Sequence, residues 1–443
     1  MIQVTLSPSI PKKNQPKGEP VTIQTRGRKL GTSKRLGRWP ELFVFIASVL
    51  VTLLFRIALP AEFDIGEGTD YTGYYKPVAR HLVRGYGLTD SNGNPYAYYP
   101  PGFSFLLAGS FEVARVLHVP EDHILSAVTL GCVGVASVLL FTFAKSLWGA
   151  TPALVSAIIW MTYPPLLWLT KHPNSEIPFL VFFYLAWVSF WKLMRQERRL
   201  LPVFFSGVLL GLAMLIRPIA IGAGFAMSFA YYLLAKEIRP RSRILVVTML
   251  LAGNLVMVLP WELWVYSKTA KIIPLSLNGI PSLIDGLTFA VDHDNSRTIE
   301  VDRDVKELMD SIHLAASKTM AMSLRDIATL LIDEFVARPV TVAKLFALKF
   351  IRAWYATDSG RFEMPLLVVQ AIYISLIVSG SLIAWRLGGA ARDAVVFAWV
   401  IALYFWTMTI IGLSIARYMV PAMGLLFTLI PGCFFNKRLR TLN

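Results

Sequence analysis

The chain has 443 residues, of which 55% are hydrophobic and 16% charged, and its mean hydropathy is +0.56. This composition excludes a soluble enzyme of that length and predicts a protein that uses lipid as its solvent. The net charge of +15 does not indicate nucleic-acid binding, because the basic residues lie between hydrophobic runs and at the two termini. The two cysteines, Cys132 and Cys433, lie inside apolar runs, which indicates buried side chains rather than a disulfide or a metal site.

Residues 1–40 are rich in lysine, arginine, proline and glycine and contain little apolar material. This composition predicts a disordered basic arm on the cytoplasmic side. A basic cytoplasmic tail is predicted at 436–443. The segment between them, 41–435, is predicted to be the membrane domain.

Apolar runs recur along 41–435, and most are long enough for a helix to cross about 30 Å of hydrocarbon. The runs are continuous rather than alternating, which favours helices over the strands of a β-barrel. We therefore predict an all-α, polytopic membrane protein with about ten transmembrane helices. The predicted spans are 41–60, 123–147, 150–169, 176–194, 200–217, 218–235, 244–264, 364–386, 394–411 and 418–435.

The basic residues of the loops predict how these spans are oriented. With ten spans, the basic clusters at 195–199, 236–243, 386–392 and 437–440 all fall on the cytoplasmic side, as the positive-inside rule requires. We expect a multi-pass protein of the plasma (inner) membrane with both termini in the cytoplasm. The polar regions 61–122 and 265–363 are then extracytoplasmic, and a functional site is expected there.

Two apolar segments are predicted to lie on the outer membrane surface without crossing. In 101–118, Phe103, Leu107 and Phe111 form one helical stripe. If this segment crossed, two of the basic clusters would move outside. The second segment, 340–355, begins just after Pro339 and is also predicted to be an interfacial helix.

Asp70, in the first external loop, is the candidate general base. One positioned carboxylate is needed to deprotonate an acceptor hydroxyl while an anomeric carbon loses phosphate. The alternative is a helix N-cap, because Asp70 precedes a helical pattern that begins near Tyr74.

Glu176, at the outer end of a predicted span, is the second candidate catalytic acid, because ionisable groups at such depth usually serve a site or a partner. The alternatives are a capping role with Ser175 or a salt bridge to Lys171. A divalent cation at Asp70, Glu176 and His172 is a further prediction, although these are too few ligands to establish a metal from sequence.

Arg417 begins the last span on the outer side, against the usual distribution of charge. Its guanidinium fork suits the oxygens of a phosphate, whereas the alternative is snorkelling to the interface. Arg217, Lys349 and Arg352 are predicted to add positive charge at the same phosphate. For Lys349 and Arg352, anchoring at lipid headgroups is the favoured role.

In their order along the chain, several motifs resemble the bacterial relatives of the dolichyl-phosphate-mannose protein mannosyltransferases, including the aminoarabinose lipid A transferases. These proteins are membrane glycosyltransferases of the C-type fold (glycosyltransferase family 39-like). The matching pieces are Asp70 with Tyr74, Tyr99-Pro100-Pro101, Ser175-Glu176, the stretch from Gly211 to Arg217-Pro218, Leu259-Pro260-Trp261, the stretch from Ile273 to Gly279, and the stretch from Arg417-Tyr418 to Pro421.

The resemblance implies transfer of a sugar from a polyprenyl-phosphate donor to an acceptor outside the cytoplasm, with Asp70 as base. The acceptor class, whether protein, lipid or glycan, stays open. Tyr71, Tyr74, Tyr99 and Tyr418 are predicted to position substrate. Tyr71 stands where the family commonly has a second acid, and Tyr99 stands where a basic residue often precedes Pro-Pro.

A lipid-linked sugar flippase or transporter is the main alternative function. It would need ionisable residues near the middle of the spans, whereas the charges here lie near the span ends, which favours the enzyme. A structural scaffold is a further alternative, since its loops need no such order of acid, aromatic and proline residues. The chain has no glycine-rich phosphate loop, which argues against a nucleotide-sugar enzyme.

Overall fold

The computed structural model describes residues 39–60, 63, 70–194, 200–289, 301–318 and 323–434. The chain divides into two units, Met1–Trp39 and Pro40–Asn443. Almost all of the first unit lies outside the described residues, as do the predicted tail 436–443 and the basic cluster 195–199. The predictions for these segments therefore remain predictions.

The described part of the chain is predominantly helical and contains no β-strand beyond an isolated bridge between Thr89 and Pro95, which confirms the predicted all-α class. Its α-helices, in chain order, are α1 (Trp39–Ala58), α2 (Lys76–Val83), α3 (Gly102–Leu117), α4 (Glu121–Trp148), α5 (Ala150–Met161), α6 (Pro164–Leu169), α7 (Glu176–Met194), α8 (Leu200–Ile216), α9 (Ala223–Leu234), α10 (Pro240–Thr269), α11 (Gly279–Leu287), α12 (Arg303–Lys318), α13 (Leu324–Ala337), α14 (Pro339–Arg352), α15 (Glu363–Leu387), α16 (Gly389–Ile411) and α17 (Val420–Phe427).

Seven helical segments of the described chain are long and apolar enough to cross a membrane. They are Trp39–Ala58, Glu121–Trp148, Glu176–Met194, Pro240–Thr269, Glu363–Leu387, Gly389–Ile411 and Ala416–Phe434. The other three predicted spans coincide with shorter apolar helices, Ala150–Met161, Leu200–Ile216 and Pro218–Leu234. The polytopic helical fold is thus confirmed, whereas the count of ten spans is not.

The predicted span 150–169 is interrupted. α5 ends at Met161, Tyr163 has an extended backbone, and α6 begins at Pro164. A residue before proline is disfavoured in the α region, so the Pro164-Pro165 pair ends one helix and starts the next. The break places the short helix α6 beside the candidate site described below.

Glycines bring α8 and α10 into backbone contact. A Cβ atom added at Gly207 would lie 2.0 Å from the Leu250 carbonyl oxygen, and one added at Gly253 would lie 2.0 Å from the Phe204 carbonyl oxygen. Small residues allow this close approach, which lets membrane helices gain van der Waals contact where lipid gives no hydrophobic driving force. This tight pair supports the turn that carries Arg217 at the end of α8.

Both predicted interfacial segments are helical. α3 begins directly after Pro100-Pro101 and ends at Leu117, and the next residue, His118, has a left-handed backbone. α14 packs with α12 and α13 around a small separate core that includes Leu308, Met309 and Leu345. This cluster belongs to the second polar region predicted from the sequence, 265–363.

Candidate functional site

Asp70 begins a helical turn of unusual width. The turn Tyr71–Tyr75 is π-helical and continues directly into α2. The backbone of Asp70 is itself right-handed helical, and its side chain makes no capping hydrogen bond, so the N-cap alternative is wrong. Single π-helical turns are frequent at functional sites because they re-aim side chains within a helix.

The Asp70 carboxylate is bound by Tyr99. The Tyr99 hydroxyl donates to Oδ1 of Asp70 at 3.2 Å. Burial, together with the neighbouring negative charge of Asp70, raises the pKa of Tyr99, so this hydroxyl stays protonated and remains a donor. Tyr99 stacks on Tyr75 at 4.8 Å between ring centroids, and Tyr74 stacks on Tyr98 at 4.5 Å. Two stacked pairs of tyrosines thus lie next to Asp70, and one of the four, Tyr99, is hydrogen-bonded to its carboxylate.

Glu176 forms ion pairs with two arginines. Its Oε1 lies 2.5 Å from Nη1 of Arg217 and 3.8 Å from Nε of Arg417. Both Glu176 and Arg217 are nearly buried, with side chains 11% and 13% exposed. Arg217 also donates to the Ser175 hydroxyl at 3.3 Å. One polar network therefore joins the end of α8 to the start of α7 and to Arg417.

Arg417 faces two acids and one aromatic ring. Besides Glu176, its Nη1 lies 3.4 Å from Oδ2 of Asp358, and its Nη2 donates to the Tyr418 hydroxyl at 3.3 Å. The guanidinium carbons of Arg417 and Arg217 lie 5.1 Å and 5.3 Å from the centroid of the Tyr418 ring. Tyr418 is therefore in contact with both predicted phosphate-binding arginines, where a cation–π interaction stabilises their positive charge.

A cavity of about 510 Å³ joins these groups. Asp70, Tyr71, Glu176 and Arg417 line its polar part. Its apolar part is formed by α6 and the start of α15, with Pro165, Trp168, Pro365, Leu366 and Val369. The sequence-predicted Asp70, Glu176, His172 and Arg417 thus meet at one cavity, and Arg217 reaches it through Glu176.

A second cavity, of about 620 Å³, lies between α1 and α4. Arg56, Asp122, Ser126 and Thr129 contribute polar groups to it. Four residues line both cavities and so form a common wall: Tyr71, Lys171, His172 and Pro173. A molecule in either cavity would therefore contact the wall that carries Tyr71, next to Asp70.

Lys349 and Arg352 do not line the 510 Å³ cavity within the described chain. Lys349 is fully buried and donates to the carbonyl oxygens of Gly286 at 2.5 Å and Gly412 at 2.9 Å. Arg352 forms two parallel hydrogen bonds with Glu363, at 2.8 Å and 3.0 Å. The predicted phosphate contacts and headgroup anchoring are therefore replaced by internal contacts that tie α14 to its neighbours.

The predicted metal site does not fit the described residues. No group of three His, Cys, Asp or Glu side chains in the described ranges is arranged to hold a metal ion. Glu176 is already paired with two arginines, which leaves it poorly suited to a cation. Asp64 and Glu67 lie outside the described residues.

Three residues at the site were not predicted from the sequence: Tyr75, Asp358 and Asn278. Tyr75 follows the predicted Tyr74 directly, and of the two it is Tyr75 that lines the cavity together with Asp70. Asp358 lies in an irregular segment between α14 and α15. Asn278 donates to the Tyr99 hydroxyl at 3.0 Å, and its only sequence signal is its place in the motif from Ile273 to Gly279.

Comparisons with known proteins agree with this architecture. Residues 99–264 match the family model described as dolichyl-phosphate-mannose-protein mannosyltransferase. No curated protein matches the chain as a relative. Among solved structures, the chain is similar to the Archaeoglobus fulgidus oligosaccharyltransferase AglB in complex with an inhibitory peptide and a dolichol-phosphate, with 14% identity and a TM-score of 0.54 over 91% of this chain and 52% of that one.

Two further solved structures are also similar. One is the Archaeoglobus fulgidus oligosaccharyltransferase in complex with zinc and sulfate, with 12% identity and a TM-score of 0.52 over 90% of this chain and 50% of that one. The other is ArnT from Cupriavidus metallidurans bound to undecaprenyl phosphate, with 14% identity and a TM-score of 0.44 over 88% of this chain and 76% of that one. The chain spans about half the length of the archaeal oligosaccharyltransferase it matches.

The family match over residues 99–264 and the fold likeness to the archaeal oligosaccharyltransferase confirm the resemblance seen in the sequence. The chain is a helical membrane protein with the C-type glycosyltransferase fold, and its residues 99–264 match the dolichyl-phosphate-mannose-protein mannosyltransferase family.

Proposed function

We propose that this protein transfers a sugar, a hexose or a pentose, from a polyprenyl-phosphate donor to a hydroxyl acceptor on the extracytoplasmic face of the plasma membrane. The observation that carries the proposal is the composition of the 510 Å³ cavity, where Asp70 and Arg417 share a polar end and α6 and α15 supply an apolar wall. A polyprenyl-phosphate sugar has the matching chemistry, since an anionic phosphate joins a polar sugar to an apolar chain.

In this proposal the lipid phosphate binds at Arg417, whose fork pairs with two phosphate oxygens. The polyprenyl chain follows the apolar wall past Trp168 and Leu366 toward the bilayer. Glu176 and Tyr418 hold Arg417 and Arg217 in place, so that positive charge already faces the phosphate as it becomes the leaving group. Glu176 then acts by orienting cations and does not exchange protons with substrate.

Asp70 is the general base. The acceptor hydroxyl loses its proton to Asp70 as its oxygen forms a bond to the anomeric carbon, and the bond from that carbon to the phosphate oxygen breaks. The products are the glycosylated acceptor, free polyprenyl phosphate and a protonated Asp70. The acceptor, whether protein, lipid or glycan, enters through the second cavity and reaches Asp70 at the shared wall formed by Tyr71 and His172.

Two lines of support come from relatives and from topology. The archaeal oligosaccharyltransferase of similar fold was solved with an inhibitory peptide and a dolichol-phosphate, which is a polyprenyl-phosphate carrier without its sugar. The distribution of basic residues between the predicted spans favours cytoplasmic termini and an external site.

The test uses protein reconstituted in liposomes with radiolabelled polyprenyl-phosphate sugars and a panel of protein, lipid and glycan acceptors. We expect Asp70→Asn to lower the transfer rate by about 100-fold or more, the range of general-base catalysis, while binding of undecaprenyl phosphate stays unchanged. Glu112→Gln is the matched control, because Glu112 lies on the same external region in an exposed pair with Arg115. Wild-type transfer by Asp70→Asn would contradict the assignment, and label crossing the bilayer without a new glycosidic bond would indicate a flippase.

A further inference from the structure

The second external region reaches the surroundings of Asp70 through residues 276–278. The Leu277 and Asn278 amides donate to the carbonyl oxygens of Ala97 and Tyr98 at 3.1 Å and 3.2 Å. The Ser276 hydroxyl donates to the same Tyr98 carbonyl oxygen at 2.9 Å. Three hydrogen bonds therefore dock this segment beside Tyr99.

Leu275, just before the docked segment, is held in an unfavourable backbone conformation. Its φ is 60°, a left-handed value that residues with a branched side chain rarely adopt. Two side chains of α10 bind both of its polar backbone groups: the Glu262 carboxylate accepts from its amide at 2.7 Å, and the Trp261 indole donates to its carbonyl oxygen at 2.9 Å. Such a conformation persists only where the surrounding structure determines it. The contacts from Trp261 and Glu262 therefore fix the backbone path of 275–278, and strained segments of this kind are common at functional sites.

The docked segment places the Asn278 side chain on Tyr99. Asn278 Nδ2 lies 3.0 Å from the Tyr99 hydroxyl, which in turn lies 3.2 Å from Oδ1 of Asp70. An ionised carboxylate only accepts hydrogen bonds, so the single hydroxyl proton of Tyr99 must point at Asp70. The Asn278 group that faces the hydroxyl oxygen must then be its NH₂ group, which leaves one consistent direction of donation along the chain from Asn278 through Tyr99 to Asp70.

We infer that Asn278 is a positioning residue of the transfer reaction, which fixes the Tyr99 hydroxyl so that it donates to Asp70 and holds that carboxylate toward the acceptor. The inference rests on the proposed role of Asp70 as base. Asn278 does not line the cavity and touches no substrate in this arrangement. It acts only through Tyr99, which separates its effect from that of a substrate-binding residue.

The test is a double-mutant cycle in reconstituted protein with the labelled polyprenyl-phosphate sugar that supports transfer. Asn278→Asp keeps the shape and the backbone contacts of the segment but removes the donor, so the Tyr99 proton is drawn away from Asp70. We expect kcat to fall about 10-fold to 100-fold, the equivalent of one hydrogen bond to a charged group, with KM for the donor unchanged. Tyr99→Phe should show a similar loss, and the double variant should lose no more than Tyr99→Phe alone.

Ser282→Ala is the matched control, since Ser282 is the other side-chain partner of the Asn278 amide, at 3.1 Å, whereas the hydrogen bonds of the Tyr99 hydroxyl go to Asp70 and Asn278. It should retain wild-type kcat. Wild-type turnover of Asn278→Asp, or losses that multiply in the double variant, would overturn the inference.

A second readout needs no substrate. Water-insoluble carbodiimides react at a carboxyl oxygen that is free to carry a proton, and the Tyr99 hydroxyl occupies Oδ1 of Asp70. We expect Asn278→Asp and Tyr99→Phe each to speed labelling of Asp70 severalfold at fixed pH, as measured by mass spectrometry of the peptide that contains it. Unchanged labelling in both variants would overturn the hydrogen-bonded chain itself. Changed labelling without sugar transfer by the wild type would instead count against the proposed function.

Discussion

The ring of Tyr418 contacts the guanidinium groups of both Arg217 and Arg417, and Glu176 lies within 4 Å of both. One acid and one aromatic ring thus hold two arginines that would otherwise repel each other. The arrangement concentrates positive charge at the polar end of the cavity while keeping each charge partnered.

Removing Glu176 should therefore destabilise the protein. Glu176→Gln leaves Arg217 nearly buried without its ion-pair partner, and breaking such a pair typically costs about 3–5 kcal/mol. Unfolding of the detergent-solubilised protein measures the loss. Glu307→Gln, which removes an exposed pair with Arg303, is the control and should cost less than about 1 kcal/mol. If the two variants have equal unfolding free energies, the buried pair stabilises the protein no more than the exposed pair does.

Arg417→Lys tests whether the fork or only the charge of Arg417 binds phosphate. Lysine keeps the positive charge but cannot pair with two oxygens in one plane, so we expect binding of undecaprenyl phosphate to weaken by about tenfold. The measurement is a binding titration in detergent micelles. Arg115→Lys, at an exposed position of α3, should bind as the wild type does. If Arg417→Lys binds undecaprenyl phosphate with wild-type affinity, the phosphate is not bound by the guanidinium fork of Arg417.

Lys349 should make stability depend on pH. Burial lowers its pKa from 10.5 to about 7, so between these values the unfolded chain binds more protons than the folded one, and stability rises with pH across that window. Lys349→Met lacks this dependence, and it also leaves the Gly286 and Gly412 carbonyl oxygens without a donor. The unfolding free energy of the wild type, relative to that of Lys349→Met, should therefore increase from pH 7 to pH 10. Thermal unfolding at several pH values measures this difference.

Lys344 provides the control for this experiment. Its hydrogen bonds to Asp304 and Asp302 raise its pKa, so its contribution to stability is constant below pH 10. Lys344→Met should follow the wild type in parallel over the same range. Parallel curves for Lys349→Met as well would mean that Lys349 is not neutralised by burial.

Gly207→Ala tests the packing of α8 against α10. The added methyl group would meet the Leu250 carbonyl oxygen at 2.0 Å, and overpacking of this kind typically costs about 1–3 kcal/mol. Gly131→Ala, within α4, is the matched control because its added methyl group meets nothing within 4 Å. It should be neutral or stabilise by up to about 1 kcal/mol through helix propensity. Unfolding midpoints that move together would contradict the close contact.

The sequence was sufficient to predict the helical membrane fold and the meeting of Asp70, Glu176 and Arg417, because continuous apolar runs locate helices and the positive-inside rule sorts their ends. The break at Pro164-Pro165 had a signal as well, since proline disfavours a helical conformation in the residue before it. The span 150–169 was nevertheless predicted as one helix, because mean hydropathy over a long window does not respond to two proline residues.

The roles of Lys349 and Arg352 could not be predicted in this way. Both look like surface cations on an amphipathic helix, and only the tertiary structure brings the Glu363 carboxylate to Arg352 and two backbone carbonyl oxygens to Lys349. The role of Asn278 could not be predicted from the sequence either. Its partner Tyr99 is 179 residues away in the chain, and a hydrogen bond over that separation leaves no trace in local composition.

The π-helical turn Tyr71–Tyr75 holds one residue more than a regular helical turn would. Its wider hydrogen-bonded ring takes up that extra residue locally, so deleting one residue from the turn would leave Asp70 on nearly the same side of α2. Each residue of a regular α-helix advances the chain by about 100° around the axis, so deleting one residue from α2 itself would rotate Asp70 and the end of α2 relative to each other by that angle. A change of length is therefore easier to accommodate in the turn beside Asp70 than in the helix that follows it.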